Sequence, residues 1–149
     1  MPRLKSKPTP AAPATIGWRE RVSLPELGVG VVIAKVDTGA RSAALHATDI
    51  RKHGQRVDFT VPLKGRHFRF SLPCKGEKRV KSSSGHSQSR AVIETDIKIG
   101  NVRYAIDITL TDRSDMGVPM LLGRDSIAGR YVVDPAKSFI LSRRKRKSK

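Results

Sequence analysis

Val31-Val32-Ile33-Ala34-Lys35-Val36-Asp37-Thr38-Gly39-Ala40 is the stretch on which the fold turns. Residues 29–36 form a short, β-branched run with the character of a strand buried on both sides. That run delivers the carboxylate of Asp37 straight into a Thr-Gly turn. Taken alone, the tetrapeptide also suits an ordinary turn, in which Asp accepts from the backbone and Gly takes positive φ. A second stretch shifts the balance: Pro119-Met120-Leu121-Leu122-Gly123-Arg124-Asp125 is an apolar run ending in Gly, followed by polar residues able to open a helix. That helix is expected to be one or two turns, stopped at Gly129.

Working outward, strand patterns dominate. Val57-Asp58-Phe59-Thr60-Val61 and Phe68-Arg69-Phe70-Ser71-Leu72 alternate apolar with polar on either side of Pro62-Leu63-Lys64-Gly65-Arg66, which reads as a hairpin. Residues 91–100 and 102–111 form another pair around the turn dipeptide Gly100-Asn101. Residues 131–133 and 138–141 flank Asp134-Pro135 and suggest a closing hairpin. Many short strands with turn signals between them indicate an all-β barrel or sandwich with one short helix after the Leu-Leu-Gly segment.

Four blocks carry a family resemblance: Lys35-Val36-Asp37-Thr38-Gly39-Ala40-Arg41-Ser42-Ala43-Ala44-Leu45-His46-Ala47, Val80-Lys81-Ser82-Ser83-Ser84-Gly85, Arg90-Ala91-Val92-Ile93 and Met120-Leu121-Leu122-Gly123-Arg124-Asp125. Between about Gly17 and Ser142 the chain resembles the retropepsin-like aspartic proteases. It is most similar to a bacterial family often labelled "ATP-dependent zinc protease". The resemblance implies an acid-protease barrel in which Asp37 is catalytic and Thr38, Gly39 and Ala40 complete the active-site loop. Leu121, Leu122, Gly123 and Arg124 would support that loop from beneath. Ser82, Ser83, Ser84, Gly85 and His86 occupy the place of the flap, although their composition also fits a plain exposed Ser/Gly loop. Thr38 would bond across a dimer; a local turn hydroxyl is the alternative.

Two departures stand out. Viral relatives commonly carry an acid where Arg41 stands, and that acid pairs with the Arg after the downstream Gly. Arg124 must therefore find another partner, with Asp125 and Asp49 as candidates. Asp37 and Gly123 are also 86 residues apart, a longer interval that leaves room for the hairpin at 57–72.

Aspartic-protease chemistry needs two carboxylates close enough to share one proton. One Asp-Thr-Gly per chain means that two chains must meet, and a twofold homodimer supplies the pair. The "zinc" and "ATP" of the label find no support: His46, His53, His67 and His86 are scattered without a His-Glu-x-x-His, and there is no phosphate-binding Gly-rich Lys-Ser/Thr loop. No metal and no cofactor is expected; His46 reads as a polar or packing residue.

The 149-residue chain fits one domain at 16–142, with a flexible leader at 1–15 and a disordered basic tail at 143–149. All 13 acids lie between Glu20 and Asp134, and the central part 16–142 that contains them carries 21 bases, so the domain is basic without its tails. That field concentrates anionic partners, although a solvated face reads the same way. Lys35, Arg41, Lys81 and Arg90 are the cations expected to line the approach of an acidic peptide. Relatives of the resembling family accompany a ligase that adds glutamates to a ribosomal protein, which implies a glutamate-rich substrate. The tail could touch ribosome or RNA through phosphates. Alternative readings are a basic barrel that binds RNA or the ribosome, and a non-catalytic scaffold on the same fold. The single Cys74 excludes an intrachain disulfide, and no stretch is long and apolar enough to span a bilayer, so a cytoplasmic location is expected.

Overall fold

The structure is a computed structural model that describes residues 12–81 and 85–142. In chain order the strands are β1 (Ala14–Gly17), β2 (Arg19–Ser23), β3 (Val31–Val36), β4 (Ala43–His46), β5 (Thr48–His53), β6 (Arg56–Leu63), β7 (Arg66–Pro73), β8 (Gly76–Lys81), β9 (Ser87–Ile99), β10 (Val102–Thr111), β11 (Met120–Leu122) and β12 (Tyr131–Asp134). The one α-helix among the described residues, α1 (Arg124–Ile127), follows the Leu-Leu-Gly segment, as the sequence predicts.

Strand neighbours run β10-β4-β11-β3-β2-β9, and β9 returns to pair with β10, so the strands close into a ring. The seam is thin: β2 meets β9 through the single register pair Ser23 and Lys98. Inside lie Leu24, Leu45, Ile93, Ile97, Ile108, Leu110, Met120 and Leu122, all essentially without solvent exposure. Fully burying each such side chain stabilises the fold by about 1.5–3 kcal/mol. The strand β8 hangs from β9 as an arm of the barrel.

Two of the three hairpins read from the sequence are present. β9 and β10 turn at Gly100, whose φ of 60° suits its position and whose missing Cβ would lie 2.8 Å from the Leu141 carbonyl oxygen. β6 and β7 turn through Lys64 (φ 52°) and Gly65 (φ 77°), the doubly left-handed geometry of a two-residue loop. This pair joins β5 in a separate three-stranded sheet. Its inward residues Val57, Phe59, Val61 and Leu63 are buried, with Phe59 packing on Phe70 at a centroid distance of 5.4 Å. The inserted sheet is thus part of the core.

Two expectations require correction. β3 is buried on one face only: Val32, Ala34 and Val36 point inward, while Val31 and Ile33 remain 47% and 36% exposed. A barrel wall has a solvent face, unlike a strand sandwiched between two layers.

The closing hairpin at 131–141 does not form either. β12 pairs in parallel with β1, and the chain beyond Asp134-Pro135 crosses β2 without becoming a strand. Its backbone is satisfied instead by the fully buried carboxylate of Glu20. That group accepts from the N–H of Ile140 (2.9 Å), Leu141 (3.1 Å) and Ser142 (3.0 Å), from the Ser142 hydroxyl (2.6 Å), and from the N–H of Gly17 (2.8 Å). Trp18 N–H donates to the Lys137 carbonyl at 2.8 Å, and Phe139 N–H to that of Arg19 at 2.9 Å.

Candidate active site

β11 lies between β3 and β4, parallel to the first and antiparallel to the second. The 37–42 loop must therefore leave β3, cross the end of β11 and return as β4. It crosses at Gly123, where a Cβ would stand 2.4 Å from the Ser42 carbonyl oxygen and 2.7 Å from its nitrogen. Only glycine admits that approach. The loop's own bonds follow from its sequence. Asp37 N–H donates to the Leu122 carbonyl at 2.9 Å, Gly39 N–H to Asp37 Oδ1 at 3.0 Å, and Ala40 N–H to the Asp37 carbonyl at 3.1 Å.

The helix α1 holds the far side. Arg124 N–H donates to the Ala40 carbonyl (2.9 Å) and Asp125 N–H to that of Arg41 (2.8 Å). Arg124 Nη1 reaches across to the Thr38 carbonyl oxygen at 2.9 Å. Among the described residues Arg124 meets no carboxylate within ion-pair distance, so neither candidate, Asp125 or Asp49, is its partner. The guanidinium satisfies a loop carbonyl in place of an acid. Tyr104 Oη fixes the helix in turn by donating to the Ser126 carbonyl at 2.9 Å. Asp37 and Ala40 are half-buried at the mouth of this arrangement; Thr38, Gly39, Arg41 and Lys35 are exposed.

Gly85 and His86 are exposed at the tip of the β8–β9 hairpin, whose last register pair is Lys81 with Ser87; Ser82, Ser83 and Ser84 lie outside the described residues. Register separates two cations that the sequence grouped together. Arg90 stands opposite Lys78 and on the same face, whereas Lys81 belongs to the other face with Arg79. Lys78 Nζ comes within 3.6 Å of Asp125 Oδ2, which ties this face of the arm to the residue after Arg124. The sequence reading missed Lys78; the period-2 register of a hairpin was the signal for it.

His46 is occupied structurally. Its Nδ1 accepts from the Arg113 N–H at 3.0 Å, and its own N–H donates to the Pro119 carbonyl at 2.8 Å. Among the described residues, no three His, Cys, Asp or Glu side chains cluster as a metal site would require. No helix there is long and apolar enough to cross a membrane. Beyond Lys35, the outer face of β3 continues as a groove of ≈ 290 Å³ lined by Val31, Ile33, Pro62, Leu63 and Pro119, with Arg21 and Lys64 also lining it.

Comparison with known proteins gives a family match over residues 15–144, to the RimB-like family described as retropepsin-like aspartic endopeptidase RimB. Proteins named probable alpha-L-glutamate ligase are also similar. The one from Shewanella pealeana is 37% identical over 134 residues, 85% of this chain, and that from Desulfotalea psychrophila is 38% identical over 129 residues. The chain spans only 29% and 28% of the length of these two relatives. A crystal structure of a Legionella pneumophila protein of unknown function superposes with a TM-score of 0.75 at 34% identity, covering 88% of this chain and all of that one.

Proposed function

Since the chain belongs to the RimB-like family of retropepsin-like aspartic endopeptidases, we propose that it is an aspartic endopeptidase acting as a homodimer on glutamate-rich protein tails. The observation that carries the proposal is the bracing of the Asp37 loop from below by Gly123 and Arg124. The loop presents its carboxylate from a fixed backbone, which positioning of a catalytic acid requires.

On this reading the Asp37 of each subunit faces its copy across a twofold axis. Two carboxylates at such short range cannot both ionise, so they hold one proton between them. The ionised member polarises a water that attacks the peptide carbonyl, and the protonated member stabilises the oxyanion. Proton transfer to the leaving amine then breaks the C–N bond. Thr38, exposed at the loop tip, bonds its counterpart beneath the pair, and the β8–β9 arm closes over the substrate and excludes water.

Two independent facts support the substrate class. The central part of the chain carries 21 bases against 13 acids, a field that draws in carboxylate-rich chains. Relatives that contain a region similar to this chain are named glutamate ligases, and an endopeptidase beside such an activity would remove what the ligase adds.

The test is cleavage of glutamate-tailed and neutral peptides by wild type and Asp37→Asn, with sedimentation of both. Wild type should cut the glutamate tail, Asp37→Asn should not, and both should sediment as dimers. Cleavage surviving in the variant would remove Asp37 from the chemistry. A strictly monomeric active protein would remove the dyad.

A further inference from the structure

The groove of ≈ 290 Å³ on the outer wall lies along the strand that ends in Asp37. Val31 and Ile33 of β3 line it, together with Pro62 and Leu63 from the end of β6 and Pro119 just before β11. Among the described residues four large apolar side chains stay exposed, and Val31 and Ile33 are two of them, neighbours on one face of β3. Gathered beside two prolines, they differ from apolar residues scattered singly over a surface.

Two cations also line the groove. Lys64 is exposed at the β6–β7 turn. Arg21 stands on β2 directly opposite Ile33, with its guanidinium 4.0 Å from the centre of the Phe139 ring. All 13 acids of the chain lie among the described residues, and none comes within ion-pair distance of either cation. The groove thus combines apolar surface with two positive charges that have no internal counter-ion.

These features select an extended peptide with acidic and aliphatic side chains. β2 pairs with β3 from Val31 to Lys35, but on the other edge β11 reaches only from Ala34 to Val36. Val31–Ile33 therefore have no strand beside them on that edge among the described residues, and an extended segment laid there can use their backbone as well as their side chains. Aliphatic groups suit the apolar surface, and carboxylates suit Arg21 and Lys64. Stacking on Phe139 holds the Arg21 guanidinium in place beforehand, which lowers the entropy lost when it takes up a carboxylate. No aromatic side chain lines the groove, so a nucleic-acid base finds no stacking partner in it. A twofold contact of this face with its own copy would set cations against cations.

We propose that the groove is a second docking site for the substrate protein, holding a short segment of mixed aliphatic and acidic residues close to the glutamate tail. The proposal rests on the reading that glutamate-rich chains are cut at Asp37, and it adds what selects among them. Ile33 stands four positions before Asp37, about 13 Å along an extended strand. One extended chain of four or five residues therefore spans from the groove to the loop. Lys35 lies between the two on the same exposed face. The inserted three-stranded sheet, which supplies Pro62, Leu63 and Lys64, gains a part in recognition beside its part in the core.

The test measures peptide binding to the Asp37→Asn protein. The probes are a glutamate pentamer, the pentamer extended at either end by leucine-aspartate repeats, and the same with serine-aspartate repeats of equal charge. Leucine-aspartate repeats at one of the two ends should tighten binding about tenfold or more, the order expected for burying one aliphatic side chain. Serine-aspartate repeats should gain clearly less. Ile33→Asp and Lys64→Glu, each added to Asp37→Asn, should return the extended peptide to the affinity of the plain pentamer. The pentamer itself should change by less than about threefold, since the groove lies outside the cleft that holds it. Lys64 is exposed at a turn, so its variant reads the groove even where Ile33→Asp fails to fold.

No gain from leucine-aspartate repeats at either end, an equal gain from serine-aspartate repeats, or a gain that survives either folded variant overturns the docking site. Displacement of the extended peptide by short RNA, dependent on Lys64, assigns the groove to phosphate and overturns it. Loss of the dimer in sedimentation of Lys64→Glu assigns the face to a second copy and overturns it too. Binding alone is read here, so a wild type that cuts no peptide leaves a positive result standing. A tail that is cut without any gain from the repeats overturns the groove and leaves the peptidase reading intact.

Discussion

The backbone of Ser42 passes so close to Gly123 that a single added methyl would sit 2.4 Å from the Ser42 carbonyl oxygen. The nearest atoms, the Ser42 carbonyl group and nitrogen, are all main chain, so no side-chain rotation relieves the clash. Gly123→Ala is expected to push the loop off β11, break the Asp37 N–H bond to Leu122 and destabilise the domain by about 1–3 kcal/mol or more. Thermal unfolding and peptide cleavage measured together check this. A variant with unchanged Tm and activity would mean that the loop does not cross there.

Arg124 should behave differently, because its bond to the Thr38 carbonyl is at the surface. Arg124→Gln is expected to cost about 1 kcal/mol or less in stability, while lowering kcat at least tenfold by freeing the loop tip. Arg124→Lys should restore little, since an ammonium lacks the fixed fork that spans from α1 to Thr38. A kcat unchanged in both variants would reduce the guanidinium to a surface decoration.

Much of this was legible because it is local. Asp37-Thr38-Gly39-Ala40 and Leu121-Leu122-Gly123 carry their turn and close-packing chemistry in the residues themselves. The two hairpins carry theirs in alternation and in Lys64-Gly65 and Gly100-Asn101. Features that depend on distant partners were not legible in this way. Glu20 looks like one more charge between Arg19 and Arg21, yet it shares the inward face with Val22 and Leu24. A polar residue at a core position was the available clue. What it holds, 120 residues away at Ile140, no local pattern announces. Arg124 likewise invited a carboxylate partner by analogy, and the fold supplied a carbonyl.

Thr38 offers a test of the proposed dimer that leaves the subunit intact. Its side chain is exposed at the loop tip, and no intrachain hydrogen bond of its hydroxyl occurs among the described residues. Thr38→Val keeps the shape and removes the hydroxyl. The dimer dissociation constant followed by sedimentation should rise about thirtyfold, in line with roughly 1 kcal/mol for the lost bond and the same again for its copy. Tm extrapolated to low protein concentration should stay within a degree or two. An unaltered dimer constant would place the subunit contact elsewhere.

Glu20 makes the fold acid-sensitive in a defined window. Burial alone would raise its pKa, but the bonds from Ser142, Gly17 and Leu141 outweigh burial and hold the carboxyl below its ordinary 4.5. A depressed folded-state value means that the unfolded chain binds the proton more readily, so the contribution is complete above about 4.5 and is lost as pH falls through the lower, folded value. Glu20→Gln keeps the volume but sets an amide donor against N–H donors from Ile140, Leu141 and Ser142. Each buried donor left without an acceptor costs about 1–3 kcal/mol, so the variant should lose at least that much at pH 7. Urea unfolding from pH 3 to pH 7 should show the gap between wild type and variant narrowing below pH 4.5 and constant above it. A gap that widened on acidification would mean that Glu20 is protonated in the native fold, donating rather than accepting at the base of the C-terminal segment.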